Sequence, residues 1–176
     1  LPGLTLVLSP LISLMEDQTQ RALRASIPAA FITSALDARE RRTVLHDVLS
    51  GGIKLLFVAP ERLETPGFLD TLGAVRISLI AVDEAHCISE WGHDFRPDYR
   101  ALSRLKQLFP GVPRIAVTAT ADERTRDDIL HELDLTSPQV HVASFDRPNL
   151  TLGAEPKAGK RADRVASLVK AHSGES

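Results

Sequence analysis

The chain has 176 residues, of which 43% are hydrophobic and 25% charged, enough to form the core of one globular domain and part of another. Its formal net charge of −2 at pH 7 excludes uniform coating of nucleic acid, so any such contact must be a local patch. No apolar run approaches the length of a membrane span, and the single cysteine, Cys87, excludes an internal disulfide framework and fits a reducing compartment.

The first half of the chain alternates between predicted strands and helices. Short apolar runs predict strands, and apolar residues at helical spacing predict helices; the strands lie at 5–9, 29–33 and 54–59, with helices starting near Ser9, Asp37 and Pro60. Ser9 is expected to cap the first helix, with Pro10 at its first position. Asp37 with Glu40 resembles a capping box. Because Leu1 is not an initiator and a strand begins almost at once, we expect a piece of a longer protein.

The second half continues the alternation. A run from Ile77 to Val82, rich in β-branched residues, predicts a fourth strand that is buried on both faces of a parallel sheet. The remaining predictions are a helix around Leu105, a fifth strand at 114–117, a helix around Ile129, a sixth strand at 140–143, a linker at 146–156 and a helix at 160–171. Strict alternation predicts parallel βαβ units with helices on both faces, an α/β fold.

Two carboxylates, Asp83 and Glu84, follow the fourth strand directly. In open α/β sheets the carboxyl ends of the strands bind ligands, so acids placed there are aimed at a ligand. One acid can hold Mg²⁺, and the other can orient and deprotonate a water molecule, which is the chemistry of nucleoside triphosphate hydrolysis. The alternative is an ordinary helix N-terminus, where acids favour the positive end of the helix dipole.

Several segments together resemble the first motor domain of RecQ-type DNA helicases, a superfamily 2 group, over residues 4 to 152. In the family's order, they resemble motif Ia (Val-Leu-Ser-Pro-Leu-Ile-Ser-Leu-Met-Glu-Asp-Gln, 7–18), motif Ib (58–63), motif II fused to an aromatic-rich loop (83–99), motif III (117–122) and the entry to a second motor domain (145–150). The Asp-Glu-Ala-His box alone indicates superfamily 2, whereas Trp-Gly-His-Asp-Phe-Arg-Pro-Asp-Tyr (91–99) indicates RecQ. Glu90 departs from the family, which more often has glutamine there, and we expect this to alter only loop contacts.

The resemblance implies a RecA-like parallel sheet that lacks the phosphate-loop strand at its N-terminus. Residues 1–145 would form a partial ATP-binding domain, and 146–176 the linker and the start of a second RecA-like domain. The implied activity is ATP-dependent 3′ to 5′ DNA unwinding in repair and recombination, with ATP and Mg²⁺ as cofactors. The implied partners are single-stranded and partly duplex DNA and the second motor domain. No membrane association is implied, and the implied location is the bacterial cytoplasm, at the nucleoid.

Residue by residue, the resemblance assigns Asp83 to Mg²⁺ and nucleotide binding and Glu84 to the attacking water. His86 would hydrogen-bond Thr118 or Thr120 and pass the nucleotide state to the rest of the domain. From the residues alone, a partly buried histidine with its hydrogen bonds satisfied is an equal alternative.

Nucleic-acid contacts are expected in two groups of residues. Aromatic rings and Arg96 in the loop suggest a surface on which unpaired bases stack, and hydroxyl or charged groups near strand ends and helix starts suit phosphate. The first group is Trp91, His93, Phe95, Arg96 and Tyr99, and the second is Ser9, Ser13, Glu61 and Arg62. The alternatives are a hydrophobic plug under the loop and simple helix capping. Zinc binding by His86, Cys87 and His93 is rejected, because it lacks a second cysteine pair, and no zinc is expected in this chain.

A phosphate loop ending in Gly-Lys-Ser/Thr is not found in the sequence. The nearest approach, at 153–161, has the wrong glycine spacing, and Arg161 stands where a hydroxyl group must reach Mg²⁺. We expect the true loop to lie upstream of Leu1, and the chain alone to hydrolyse ATP negligibly. An inactive nucleic-acid-binding module is the alternative from another class. An RNA helicase is a third, against which the aromatic-rich loop argues.

Overall fold

The computed structural model describes residues 1–90, 94–143, 149–150 and 161–171. Five parallel strands form one sheet: β1 (Leu4–Leu8), β2 (Ala29–Ile32), β3 (Leu55–Val58), β4 (Ile77–Val82) and β5 (Arg114–Ala116). Their order across the sheet is β2-β3-β1-β4-β5, so β1 and β4 lie in its middle. The predicted α/β fold with parallel strands is confirmed.

Six helices accompany the strands in the described part of the chain: α1 (Ile12–Arg24), α2 (Ala38–Leu49), α3 (Phe68–Gly73), α4 (Leu102–Leu108), α5 (Glu123–Glu132) and α6 (Arg161–Ala171). Short 3-10 helices lie at Pro60–Glu64, Ala85–Ile88 and Pro97–Ala101. None of the described helices is long and apolar enough to cross a membrane.

The core lies on the central strands. Leu6 and Leu8 of β1 and Ile80 and Val82 of β4 are almost completely buried on one face of the sheet, while Val7 and Ala81, which face the other side, are half-buried. Burying a side chain of this size stabilises the fold by about 1.5 to 3 kcal/mol. The site described below therefore follows two strands that are anchored in the core.

The two predicted helix caps have opposite outcomes. Asp37 caps α2 as expected: its Oδ1 accepts hydrogen bonds from the backbone of Arg39 and Glu40, and Glu40 in turn accepts from the Asp37 backbone. The cap at Ser9 was wrong, because α1 begins only at Ile12 and its N-cap residue, Leu11, makes no side-chain hydrogen bond. Ser9 is instead buried at the end of β1.

The predicted sixth strand was also wrong. Residues 140–143 form no strand in the described part of the chain, and Val140 and Val142 are 55% and 63% exposed. The chain divides into two compact units, Leu1–Pro138 and Gln139–Ser176, and the whole sheet belongs to the first. The tail helix was predicted correctly as α6. Most of the expected linker at 146–156 and of the glycine segment at 153–161 lies outside the described residues.

Candidate functional site

The register of the sheet brings three strand ends together. Leu8 of β1 pairs with Val82 of β4, and Val82 pairs with Ala116 of β5. The residues that follow these strands therefore share one edge of the sheet. The backbone continues the ladder there: the N–H of Asp83 donates to the carbonyl of Leu8 at 2.8 Å, and the N–H of Ala85 donates to the carbonyl of Val117 at 3.0 Å.

The carboxylate of Asp83 is held at this edge by neighbouring donors. Its Oδ2 accepts from Ser9 Oγ at 3.3 Å and Gln18 Nε2 at 3.5 Å, and its Oδ1 accepts from the Glu84 backbone N–H at 3.0 Å. The other side-chain oxygen of Gln18, Oε1, is buried and has no hydrogen-bond partner among the described residues. A half-buried carboxylate beside an unpartnered amide oxygen suits Mg²⁺, which keeps several waters when it binds protein.

Glu84 has an unusual backbone conformation. Its φ of 48° and ψ of 44° are left-handed, a region that side chains other than glycine rarely adopt. Such strain costs about 1 to 3 kcal/mol and concentrates at functional sites. The turn aims the Glu84 carboxylate at His86, with Oε2 3.2 Å from Nδ1, while the side chain remains 29% exposed. Glu84 is therefore both fixed in place and accessible to solvent.

His86 connects Glu84 to the segment after β5. Its Nδ1 lies 2.9 Å from Thr118 Oγ1, and the Thr118 hydroxyl donates to the carbonyl of Thr120 at 3.2 Å. Glu84 Oε2, 3.2 Å from the same nitrogen, can only accept a hydrogen bond, so in the neutral ring the proton is on Nδ1, between Glu84 and Thr118. The structure thus brings His86, Thr118 and Thr120 together as the sequence predicted.

The aromatic-rich loop is described only in part. Trp91 and His93 lie outside the described residues, and Phe95 and Arg96 are partly buried. Arg96 donates from Nη1 to the carbonyl of Pro10 at 3.3 Å and pairs through Nη2 with Asp94 at 3.3 Å. The guanidinium group therefore joins the loop to the segment between β1 and α1.

Tyr99 requires a correction. A ring on which bases stack must be exposed, but Tyr99 is 2% exposed and packs in the core. Its hydroxyl donates to the backbone carbonyl of Asp83 at 3.0 Å, and burial raises the pKa of this phenol far above its usual value. Tyr99 is therefore an internal connection between the end of the loop and the acid at the strand end.

The four residues expected to contact phosphate lie in different environments. Ser9 is fully buried and bonded to Asp83, so the expected phosphate contact at Ser9 does not fit. Ser13 is exposed on α1, and Glu61 and Arg62 are partly buried in the Pro60–Glu64 helix. Burial first, and the charge of Arg41 second, lower the pKa of Arg62. Its Nε is buried and has no hydrogen-bond partner among the described residues.

Sequence reasoning missed three contributors to this site. Gln18 and the carbonyl of Pro10 lie inside the segment that resembles motif Ia, but that resemblance does not show that they face Asp83 and Arg96. The third is Asp128 on α5, whose Oδ2 accepts a 2.5 Å hydrogen bond from the buried Ser89 at the start of the loop. No local pattern marks this pair, because its members are 39 positions apart.

Comparison with known proteins places these features in a family. The family model described as DEAD/DEAH box helicase matches residues 2–129. The chain is 51% identical over 148 residues to ATP-dependent DNA helicase RecQ of Pasteurella multocida, and 44% identical over 174 residues to that of Haemophilus influenzae. These matches cover 84% and 99% of this chain but 23% and 28% of the two relatives. The chain is therefore homologous to RecQ helicases over most of its length, and spans about a quarter of theirs.

The fold has matching solved structures as well. The Hef helicase domain of Pyrococcus furiosus aligns with a TM-score of 0.54 at 20% identity, over 75% of this chain and 27% of that one. The helicase Lhr of Mycobacterium smegmatis, solved with single-stranded DNA and AMP-PNP, aligns with a TM-score of 0.50 at 22% identity, over 73% of this chain and 18% of that one. At this identity the likeness shows the fold alone, which is that of a RecA-like helicase domain.

Proposed function

Because the chain belongs to the DEAD/DEAH box helicase family, we propose that it forms part of the first motor domain of a RecQ-type, 3′ to 5′ ATP-dependent DNA helicase that acts in repair and recombination. The observation that carries the proposal is the position of Asp83. Its carboxylate lies at the ligand-binding edge of the sheet, and its backbone carbonyl is held by Tyr99, which ends the aromatic-rich loop.

The hydrolytic part of the proposal concerns two acids. Asp83 would hold Mg²⁺, which when bound neutralises charge on the phosphate oxygens of ATP. Glu84, accessible and pinned by its strained turn, orients the attacking water and accepts its proton. His86 donates to Glu84 and to Thr118, so a change in the charge of the Glu84 carboxylate alters the bond to the segment after β5. This makes His86, Thr118 and Thr120 the proposed coupling residues.

The DNA part of the proposal concerns the loop and two neighbouring surfaces. Trp91, His93 and Phe95 supply rings for unpaired bases, and Arg96 supplies a cation at the same loop. Ser13 and the Glu61-Arg62 pair supply polar groups for backbone phosphate. The proposed partners are single-stranded and partly duplex DNA and a second RecA-like domain. The proposed location is the bacterial nucleoid.

A binding experiment tests the DNA part directly. Trp91 is the only tryptophan in the sequence, so its fluorescence reports binding at the loop. We expect oligothymidylate to quench it more strongly than oligouridylate. Replacing Arg62 by glutamine should lower the salt dependence of binding by about one phosphate contact. Arg42→Gln is the matched control, because Arg42 is exposed on α2, and it should leave the binding unchanged.

Two outcomes contradict this proposal. One is the absence of any change in Trp91 fluorescence with saturating oligonucleotide while the protein remains folded by circular dichroism. The other is equal weakening by the Arg62 and Arg42 substitutions, which would mean that binding is a general charge effect and not a local contact.

A further inference from the structure

Three potential metal ligands face one another beside the candidate hydrolytic site. They are a ring nitrogen of His86, Sγ of Cys87 and a carboxylate oxygen of Asp94, all within 4.8 Å of one another. Cys87 Sγ lies 3.8 Å from His86 Nε2 and 3.9 Å from Asp94 Oδ2. His86 and Cys87 are buried, whereas Asp94 is exposed on the loop. The sequence did not suggest this set, because the trio considered there contained His93 in place of Asp94.

The protonation of His86 suits a metal ligand. Its Nδ1 carries the proton, which is directed to Thr118 Oγ1 at 2.9 Å and Glu84 Oε2 at 3.2 Å. In the neutral ring Nε2 therefore carries the lone pair, on the side of Cys87. A carboxylate that accepts from one ring nitrogen while the other binds metal is the usual support for a histidine ligand, because it fixes the tautomer and the ring orientation.

The spacing and the donor types indicate zinc. Zinc bonds of about 2.0 to 2.3 Å place tetrahedral ligands about 3.3 to 3.8 Å apart, so the two observed separations are within a few tenths of an ångström of this range. Imidazole, thiolate and carboxylate are all established zinc ligands, whereas Mg²⁺ prefers oxygen alone. The cluster is thus distinct in chemistry from the oxygen-rich surroundings of Asp83.

Two features oppose metal binding when no ion is present. Burial, followed by the charge of Asp94, raises the pKa of the Cys87 thiol to about 11, so the thiol is protonated at neutral pH and must release a proton to solvent when it binds an ion. Arg96 Nη2 lies 3.3 Å from Asp94 Oδ2 and must turn aside. Both features lower the affinity of the site for a metal ion, so we expect it to be occupied only at higher metal concentrations.

From this geometry we propose that His86, Cys87 and Asp94 form a zinc-binding site with water as the fourth ligand. An ion there ties Asp94, on the aromatic-rich loop, to the two residues that follow Glu84. Asp94 is then no longer available to Arg96, so the guanidinium group is released for phosphate. This consequence, which rests on the proposed function, is stronger DNA binding in the presence of zinc.

Cobalt titration tests the site itself, without DNA or nucleotide. Cys87 is the only cysteine in the sequence, so any near-ultraviolet thiolate-to-cobalt band in the reduced 176-residue chain must come from it. We expect a saturable band that zinc abolishes. Cys87→Ser should remove the band, and His86→Gln and Asp94→Asn should each weaken cobalt binding about tenfold or more. Asp98→Asn, an exposed acid of the same loop, should change nothing.

Absence of the band in a folded protein overturns the site, and so does a band that the His86 and Asp94 substitutions leave unchanged. The consequence is tested separately by Trp91 quenching with oligothymidylate. Zinc should strengthen DNA binding in the unmodified chain and not in Asp94→Asn. A cobalt band without this effect would leave the metal site in place but refute the effect of zinc on DNA binding. Because cobalt binding needs no nucleic acid, its failure is distinguishable from a failure of the proposed helicase function.

Discussion

The hydroxyl group of Tyr99 and the backbone carbonyl of Asp83 join the aromatic-rich loop to the candidate site through one hydrogen bond of 3.0 Å. In a core position such as that of Tyr99, a polar group without a partner costs more than a made hydrogen bond contributes. The bond therefore constrains both ends: movement of the loop that displaces Tyr99 either moves Asp83 or leaves its carbonyl unpaired.

Replacing Tyr99 by phenylalanine tests this connection. The change keeps the ring and removes only the donor, so we expect the free energy of unfolding to fall by about 1 to 2 kcal/mol in urea titrations. Thr43→Val is the matched control, because Thr43 donates to the carbonyl of Arg39 on an exposed face of α2, and it should cost less than about 0.5 kcal/mol. Equal stability of Tyr99→Phe and the unmodified chain would show that the bond contributes nothing.

For individual residues, the sequence predicted the position in the fold well and the hydrogen-bond partners poorly. Asp83, Glu84, His86 and Thr118 lie where expected, because each is within four residues of a strand end and strand ends meet at one edge. Tyr99 was misplaced because an aromatic residue in a loop fits either a core or a binding surface, and only its partner 16 positions away decides.

The aromatic-rich loop is held by α5 and the 3-10 helix Ala85–Ile88, in addition to the hydrogen bond of Tyr99. They pack together, and Ser89 at the end of that short helix is hydrogen-bonded to Asp128 of α5 at 2.5 Å. Because α5 follows the Thr118-Thr120 segment, this bond links the start of the loop to the part of the chain that His86 also contacts.

A double-mutant cycle on Ser89→Ala and Asp128→Asn measures this support. A buried serine bonded to a carboxylate predicts that each single change destabilises the fold by about 1 to 2 kcal/mol. It also predicts a coupling energy of about 0.5 to 2 kcal/mol between the two changes, obtained from urea unfolding. Asp127→Asn, exposed on the same helix, should be neutral. Strict additivity of the two substitutions would mean that the bond does not hold the loop.

The elements themselves were largely predictable. Five strands were found from apolar runs to within two residues, because short apolar runs bounded by turn residues leave a clear signal in the sequence. Residues 140–143 carry a similar Val-His-Val alternation and yet form no strand, since a strand is defined by a paired neighbour and the pattern does not supply one. The start of α1 was misjudged for a related reason: Ser9 is used at the strand end and is not available as a cap.

For the whole molecule, the net charge of −2 and the size of the chain limit what it does by itself. The proposed DNA binding would depend on the few cations near the loop and the Pro60–Glu64 helix, so we expect it to be weak at physiological salt. The chain spans about a quarter of the RecQ helicases that it resembles, and its sequence contains no Gly-Lys-Ser/Thr phosphate loop. The central claim therefore concerns what Asp83 and Glu84 do when the other parts of a motor surround them.

DNA-stimulated ATP hydrolysis by a chimera tests this claim most directly. In it, the present chain replaces the matching segment of the Pasteurella multocida RecQ helicase. We predict turnover within about tenfold of that of the parent, a loss of about 100-fold or more for Glu84→Gln, no change for the exposed control Glu132→Gln, and negligible turnover by the 176-residue chain alone. A folded chimera that binds DNA without hydrolysing ATP, or that keeps its activity after Glu84→Gln, would contradict the account.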